Sequence, residues 1–345
     1  MELKDFLYDL PADLIAAYPS EDRTGARLMV VERGSKRISH TSFGAIGEFL
    51  RAGDLLVFND TRVIPARLRG VKESGGKAEV LLIESFPKHE IHWMALVRSA
   101  KPPRLGSRIL FSEGISAEVI GDMGGGRFGL RFHCEGDLEA ALSRLGEPPL
   151  PPYIAGGRQP AALDRERYQT VYAASPGSIA APTAGFHFTP ELLEKLAVEG
   201  VDKAFVTLHV GPGTFRRVRG DVVENHRMDG ERYTLSRQTA EKIESARKER
   251  RRVIAVGSTT VRTLEWVAQR KGGVVTDEGI ARLFIHPGFR FLVVDGLITN
   301  FHLPASTPLL LAAAFAGAEV IRSAYEEAIR EGYRFYSYGD AMLIV

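Results

Sequence analysis

Ala78-Glu-Val-Leu-Leu-Ile-Glu84, Ile91-His-Trp-Met-Ala-Leu-Val-Arg98, Arg108-Ile-Leu-Phe111, Ala117-Glu-Val-Ile120 and Phe128-Gly-Leu-Arg-Phe-His133 follow one another in the first half of the chain. Gly75-Gly76 precedes the first run and Gly124-Gly125-Gly126 the last. Short alternating runs with glycine turns between them read as strands of a small closed barrel or a sandwich. From Arg67 to His133 no helical periodicity interrupts them.

Helix and strand signals alternate on both sides of this stretch. Upstream, Pro11 to Ala17 reads as a short helix and Arg27 to Glu32 as a strand. Ser42 to Arg51 reads as an amphipathic helix with Thr41 as its N-cap, and Asp54 to Asn59 as a strand. The strand ends in Asn59-Asp60-Thr61-Arg62, which fits an Asx-type turn as well as a ligand contact.

Downstream, Asp137 to Leu145 is a helix and Pro148 to Ile154 a stiff connector. Thr189-Pro190 starts a helix to about Val198, Val201 to Val210 is a buried strand, and Gln238 to Arg250 is a charged helix. Arg252 to Val256 is a buried strand leading through Gly257-Ser-Thr-Thr260 into a helix to Gln269. One long helix is expected from Pro308 to about Arg330 and a last strand from Ala341 to Val345. The expected fold is a layered α/β main domain, discontinuous in sequence (1–65 and 151–345), with an inserted all-β barrel-like domain (66–150).

The chain has 345 residues, a formal net charge of +2 and a single cysteine, Cys134. One thiol excludes an intrachain disulfide or a thiolate metal cluster. No metal is expected: His89 and His92 lack a third ligand nearby. The N-terminus lacks a signal-peptide pattern and no apolar run spans a bilayer, so a cytoplasmic protein, acting as a monomer, is expected.

Chemistry-bearing residues concentrate between Tyr172 and Glu231. SPGSIAAPTAGFHFT (Ser175 to Thr189), VTLHVGPGTFRRV (Val206 to Val218) and NHRMDGERY (Asn225 to Tyr233) crowd Gly, Pro, Thr and His at the ends of apolar runs. Loops at strand ends are where α/β proteins place their chemistry. The Gly-Ser-Thr-Thr helix start suits a carboxylate or phosphate, although capping by Thr259 or Thr260 explains it without a ligand. There is neither a Walker A loop nor a Gly-x-Gly-x-x-Gly fingerprint. The basic loop of Lys101, Arg104, Gly106 and Arg108 fits a phosphate backbone or plain solvation.

These motifs, with ARLMVVER (Ala26 to Arg33), LVFNDTRVIPARL (Leu56 to Leu68), LPPYI (Leu150 to Ile154), RYQTVYA (Arg167 to Ala173), AVGSTTVRTLE (Ala255 to Glu265), TNFHLPAST (Thr299 to Thr307) and YRFYSYGDAM (Tyr333 to Met342), resemble the S-adenosylmethionine:tRNA ribosyltransferase-isomerase family along essentially the whole chain. The resemblance implies transfer and isomerisation of the ribosyl moiety of S-adenosylmethionine, as co-substrate, onto 7-aminomethyl-7-deazaguanine in a tRNA anticodon. Epoxyqueuosine would form, with release of adenine and methionine. Where the family reads His-x-Met-His-Ser/Gly-Glu, this chain has His226-Arg-Met228-Asp229-Gly230-Glu231.

That chemistry needs a base beside the sulfonium and an acid to assist adenine, and His226, Glu231, His209 and His187 are the candidates. Gly230 is expected to bend the chain so that His226 and Glu231 share a pocket. S-adenosylmethionine is expected among Pro182, Thr183, Gly185, Gly211, Gly213, Thr214, Phe215, Ser258, Thr259, Thr260 and Arg262. Arg216 and Arg217 suit tRNA phosphates, and Asn300, His302, Ser306 and Thr307 the rest of the substrate. A tRNA binder without chemistry and an enzyme acting on a sugar phosphate are the alternatives.

Overall fold

The computed structural model describes residues 1–86, 89–155, 162–215, 218 and 220–345. Strands appear in chain order as β1 (Arg27–Val31), β2 (Ile38–Ser42), β3 (Leu55–Asn59) and β4 (Thr61–Val63), then six barrel strands. These are β5 (Arg67–Lys72), β6 (Lys77–Phe86), β7 (His89–Ser99), β8 (Arg108–Leu110), β9 (Ser116–Asp122) and β10 (Arg127–His133). After them come β11 (Ser175–Ser178), β12 (Asp202–Leu208), β13 (Glu231–Leu235), β14 (Val253–Val256), β15 (Asp277–Ala281), β16 (Gly296–Asn300) and β17 (Ala341–Ile344).

The main sheet has nine strands in the order β15-β13-β12-β3-β14-β16-β17-β1-β2, and β12, β3, β14 and β16 run parallel. Its central strands β3, β14 and β16 are buried along their whole length because both faces are covered. Leu55, Val57, Val253, Ala255 and Leu297 face one core, and Leu56, Phe58, Ile254, Val256 and Ile298 the other. Helices Arg237–Lys248, Ser258–Lys271 and Thr307–Ala316 supply the first core, and Pro190–Val198 the second. The result is a layered α/β fold.

The barrel closes in the order β10-β7-β6-β5-β8-β9. Its alternating residues fill a separate core of Leu68, Val80, Leu82, Val119, Leu130 and Phe132. The helix Leu138–Leu145 packs against that core through Leu138, Ala141 and Leu142. Among the described residues no single helix is long and apolar enough to cross a membrane.

Three expected helices differ. Phe43–Phe49 is a 3₁₀ helix with no side-chain cap, and Thr41 belongs to β2. Gly44 and Gly47 make poor α-helix interior, which favours the shorter, tighter form. The N-terminal helix shrinks to a single 3₁₀ turn, Ala12–Leu14. The long C-terminal helix breaks at Gly317 (φ 97°) into Thr307–Ala316 and Ala318–Arg330, bent by 116°. Glycine alone adopts that φ cheaply, so the break is encoded at one residue.

One carboxylate ties a helix to the segment leading into β16. Glu265, fully buried in Ser258–Lys271, accepts the N–H groups of Leu292, Val293 and Val294 at 2.7, 3.0 and 3.0 Å. Burial pushes its pKa up, and the three donors oppose that rise. Glu265→Ala leaves the two buried donors of Val293 and Val294 and the part-buried donor of Leu292 without this partner, at about 1–3 kcal/mol for each buried group before relaxation. We expect urea unfolding to report a loss of about 3–5 kcal/mol, with Glu265→Gln intermediate. A loss below about 1 kcal/mol would show that residues 292–294 find other partners.

Candidate active site

The carboxyl ends of β12, β3, β14 and β16 bring His209–Gly211, Asn59–Thr61, Gly257–Thr259 and Asn300–His302 to one edge of the sheet. Parallel sheets bind ligands at this edge. A cavity of about 280 Å³ opens there, its wall including Tyr153, Tyr168, Thr183, Ser258, Asn300 and Tyr336, with Pro182, Thr259, His302 and Ser306 also in it. Tyr336 has φ 74°, rare for a bulky residue, and Ala305 beside Ser306 has φ 54°. Among the described residues no group of His, Cys, Asp and Glu forms a metal-holding cluster.

The helix Ser258–Lys271 enters the cavity without a side-chain cap. Its N-cap is Gly257 at φ 90°, ψ 151°, a conformation open to glycine. Both threonine hydroxyls are occupied elsewhere. Thr259 Oγ1 accepts from Asn59 Nδ2 at 3.1 Å, and Thr260 Oγ1 donates to the Val256 carbonyl at 2.8 Å. Neither caps the helix, so its first N–H groups and dipole remain for an anion.

Arg262 lies one turn on, where its guanidinium forms a buried ion pair with Glu231. Glu231 also accepts the Gly211 N–H at 3.0 Å. The pair therefore fixes the turn after β12. With Ser258 and Thr307, Arg262 lines a small neighbouring pocket.

His209, at the end of β12, is held through Nδ1 by the Thr61 hydroxyl at 2.9 Å. Gly177 (φ 140°) lies flat against the ring; a Cβ there would sit 2.9 Å from it. Burial and the nearby Arg232 depress the His209 pKa to about 4, keeping the imidazole neutral. Burial pushes His187 and His302 down to about 3. Asn300 Nδ2 donates to the Tyr336 carbonyl (3.0 Å) and faces His187 Nε2 (3.4 Å). A carbonyl only accepts, which fixes the amide's orientation and leaves the buried Oδ1 with no partner among the described residues.

His226 and Glu231 face different surroundings. His226 packs edge-on against Phe284 at 4.9 Å; burial depresses its pKa and Asp229 opposes. Glu231 lines a second cavity, of about 320 Å³, with His209, Gly211, Asp229, Arg232 and Arg282. Its far wall is the barrel, through Glu84, Met94 and Arg127. Arg127 pairs with Asp229 at 2.7 Å, tying β10 to the turn before β13. A third cavity of about 740 Å³, shared with it at Gly177 and Arg232, continues along the barrel past Trp93 and Phe132.

Gly185 packs beneath the first cavity, where a Cβ would fall 1.9 Å from the Tyr172 hydroxyl. Gly213 lies beside Asp229, and Pro212–Phe215, with Thr214 and Phe215, forms a 3₁₀ turn. Arg216, Arg217 and Arg219 lie outside the described residues. Thr61 and the cavity tyrosines Tyr153, Tyr168 and Tyr336 are absent from the sequence-based site. Aromatics inside apolar segments look like core, and only the folded chain turns these toward a cavity.

The model of the queuosine biosynthesis protein family matches residues 3–344. The S-adenosylmethionine:tRNA ribosyltransferase-isomerases of Trichlorobacter lovleyi and Geobacter metallireducens are each 50% identical to the chain, over 345 and 344 residues, with 100% of both proteins covered. A crystal structure of S-adenosylmethionine tRNA ribosyltransferase from Thermotoga maritima is 37% identical, covers 99% of this chain and 100% of that one, and superposes with a TM-score of 0.56. With a family match over nearly its whole length and relatives at half identity, the chain belongs to the queuosine biosynthesis protein family, that of the S-adenosylmethionine:tRNA ribosyltransferase-isomerases.

Proposed function

We propose that the chain is an S-adenosylmethionine:tRNA ribosyltransferase-isomerase. In this reading it moves and isomerises the ribosyl group of S-adenosylmethionine onto 7-aminomethyl-7-deazaguanine in tRNA, forms epoxyqueuosine, and releases adenine and methionine. The observation that carries the reading is the uncapped helix start at Gly257 in the first cavity, on the same edge of the parallel sheet as the neutral imidazole of His209, which lines the second cavity; Val210 lines both. We also divide the chain into an α/β domain (1–65 and 151–345) and a barrel domain (66–150), with the RNA entering between them.

The first N–H groups of the helix Ser258–Lys271 hold the methionine carboxylate. Tyr153, Tyr168 and Tyr336 enclose the adenosine, and Asn300 Oδ1 accepts from a donor on it, supporting the fit of the cavity to this co-substrate. Its sulfonium acidifies the neighbouring carbon and its ribosyl group is what is transferred. His209, fixed by Thr61, takes the proton through Nε2. Glu231 and Arg262 act on position, holding the Gly211 turn. His187 orients Asn300.

The direct test is release of adenine and methionine with tRNA carrying the aminomethyl base, against tRNA without it. RNA binding with no release would leave a tRNA binder without chemistry. His209→Asn should lower kcat by about a hundredfold or more, with S-adenosylmethionine affinity retained. The imidazole stays neutral until about pH 4, so wild-type kcat/KM should hold as pH falls from 8 to 5. An acid limb centred on the ordinary histidine value would remove His209 as base.

Arg262→Met takes the buried guanidinium away from the Glu231 carboxylate, at about 3–5 kcal/mol. Arg262→Met/Glu231→Gln should regain most of that stability in urea unfolding. Both variants should raise KM for S-adenosylmethionine more than for tRNA, because the Gly211 turn loses its anchor. A single variant as stable as wild type would dissolve the pair as a structural device.

A further inference from the structure

The excess positive charge of the chain resides in the barrel. Residues 67–133 hold eleven Lys and Arg against seven Asp and Glu, while the whole chain carries only +2, so the remainder is slightly acidic. Part of that charge gathers at one end, where the β5–β6 turn meets the loop between β7 and β8. Lys72 Nζ donates to the Lys101 carbonyl at 2.7 Å, and the Glu73 N–H to the Arg108 carbonyl at 3.1 Å. Lys77, Lys101, Arg104 and Arg108 are exposed there, with no ion pair among the described residues. The nearby carboxylates are Glu73, Glu79, Asp122 and Glu118, the last directly across from Arg108 in the β8–β9 pairing and held by Arg131 at 2.6 Å. Glu79 lies 4.0 Å from Arg98, and Asp122 accepts the Gly124 N–H of its own turn.

The loop is built to hold its shape. Gly106 (φ 77°) donates to the Val119 carbonyl at 2.8 Å, and Val119 to the Ser107 carbonyl at 3.0 Å, stitching the tip to β9. The Ser107 hydroxyl donates to the Arg104 carbonyl at 2.6 Å. Leu105, at the tip between the cations, is 71% exposed. Rigid, unpaired cations around an apolar tip suit a polyanion with apolar faces, as RNA is, better than a solvated loop. The patch lies on the same barrel that walls the cleft, with Arg108 in register, through Glu118, with Arg131, four residues along β10 from Arg127. Two strand spacings separate β8 from β10, where Arg127 walls the second cavity, on the order of 10 Å.

We propose that this end of the barrel, centred on Lys101, Arg104 and Arg108, binds the phosphate backbone of the RNA whose target base enters the cleft. The proposal rests on the reading of the chain as a tRNA-modifying enzyme. The contact is to backbone, so it adds affinity and docking rather than base selection. The chain's near-neutral total charge masks the barrel's excess, which appears once residues 67–133 are counted by themselves.

The test measures RNA affinity by fluorescence anisotropy without S-adenosylmethionine, using the full-length chain and tRNA over a range of salt. Arg104→Glu/Arg108→Glu should weaken binding about tenfold near 0.1 M salt and flatten the slope of log K against log salt by roughly 1.5–2. Lys101→Gln/Arg104→Gln, which removes charge without adding repulsion, should go the same way by less. Lys36→Glu/Lys248→Glu, reversing exposed charges outside the barrel, should leave the slope unchanged. At saturating tRNA, kcat and KM for S-adenosylmethionine should stay at wild-type values. Wild-type affinity and slope in the barrel variants would overturn the proposal, as would an equal loss in the Lys36/Lys248 control. Anisotropy needs no turnover: wild-type protein that releases no adenine would sink the enzymatic reading while this measurement still decides the patch.

Discussion

One buried side chain holds the working edge of the sheet together. Asn59 ends β3, and its amide makes all four hydrogen bonds open to it. Nδ2 donates to the Leu208 carbonyl and the Thr259 hydroxyl, while Oδ1 accepts from the N–H groups of Leu208 and Thr61. Those partners belong to the end of β12, the start of the helix after β14, and the turn carrying the hydroxyl that holds His209. Three loops that meet nowhere in the sequence are thereby fixed to one amide. Loss of either end of it would leave buried backbone groups unpaired, so the loops hold or loosen together.

Charge does the same work farther out. The Arg262–Glu231 pair is nearly inaccessible to water, and burying two ions costs more than a surface pair returns. Its value lies in geometry: one carboxylate grips a guanidinium on a helix and the N–H of Gly211 on a turn. The Arg127–Asp229 pair is about one-third exposed and contributes little energy by itself. It nonetheless joins the barrel to the segment leading into β13. Aspartate there supplies the charge that the barrel arginine meets.

Much of this was legible in the residues, for identifiable reasons. Loss of helical period between Arg67 and His133 marks the barrel because alternation and glycine turns are local signals. The apolar runs Leu55 to Asn59 and Val253 to Val256 mark central strands because both faces are buried. The breaks were harder to see. Gly317 sits in a helical run where glycine is often tolerated, and only its backbone angle reveals the corner. Tyr153, Tyr168 and Tyr336 carry no mark that separates a cavity wall from a core. The roles of Glu231 and Arg262 depend on a contact across 31 residues, which spacing alone does not disclose.

The distribution of imperfections completes the argument. Helices beginning at Leu138, Pro190, Arg237 and Thr307 take side-chain caps from Asp137, Thr189, Ser236 and Ser306. Two others begin on glycine: Gly317, which turns one helix into the next, and Gly257, which opens on the cavity. At that same cavity lie Asn300 Oδ1, without a partner among the described residues, and the strained Tyr336, with the strained Ala305 beside Ser306 in its wall. Each feature costs stability: glycine in place of a capping side chain roughly a few tenths of a kcal/mol, an unmet buried acceptor about 1–3 kcal/mol, a left-handed bulky residue about 1–3 kcal/mol. A chain that caps four other helices and saturates Asn59 has the means to avoid these costs. Their gathering around one cavity is therefore the mark of a surface shaped for something other than its own fold.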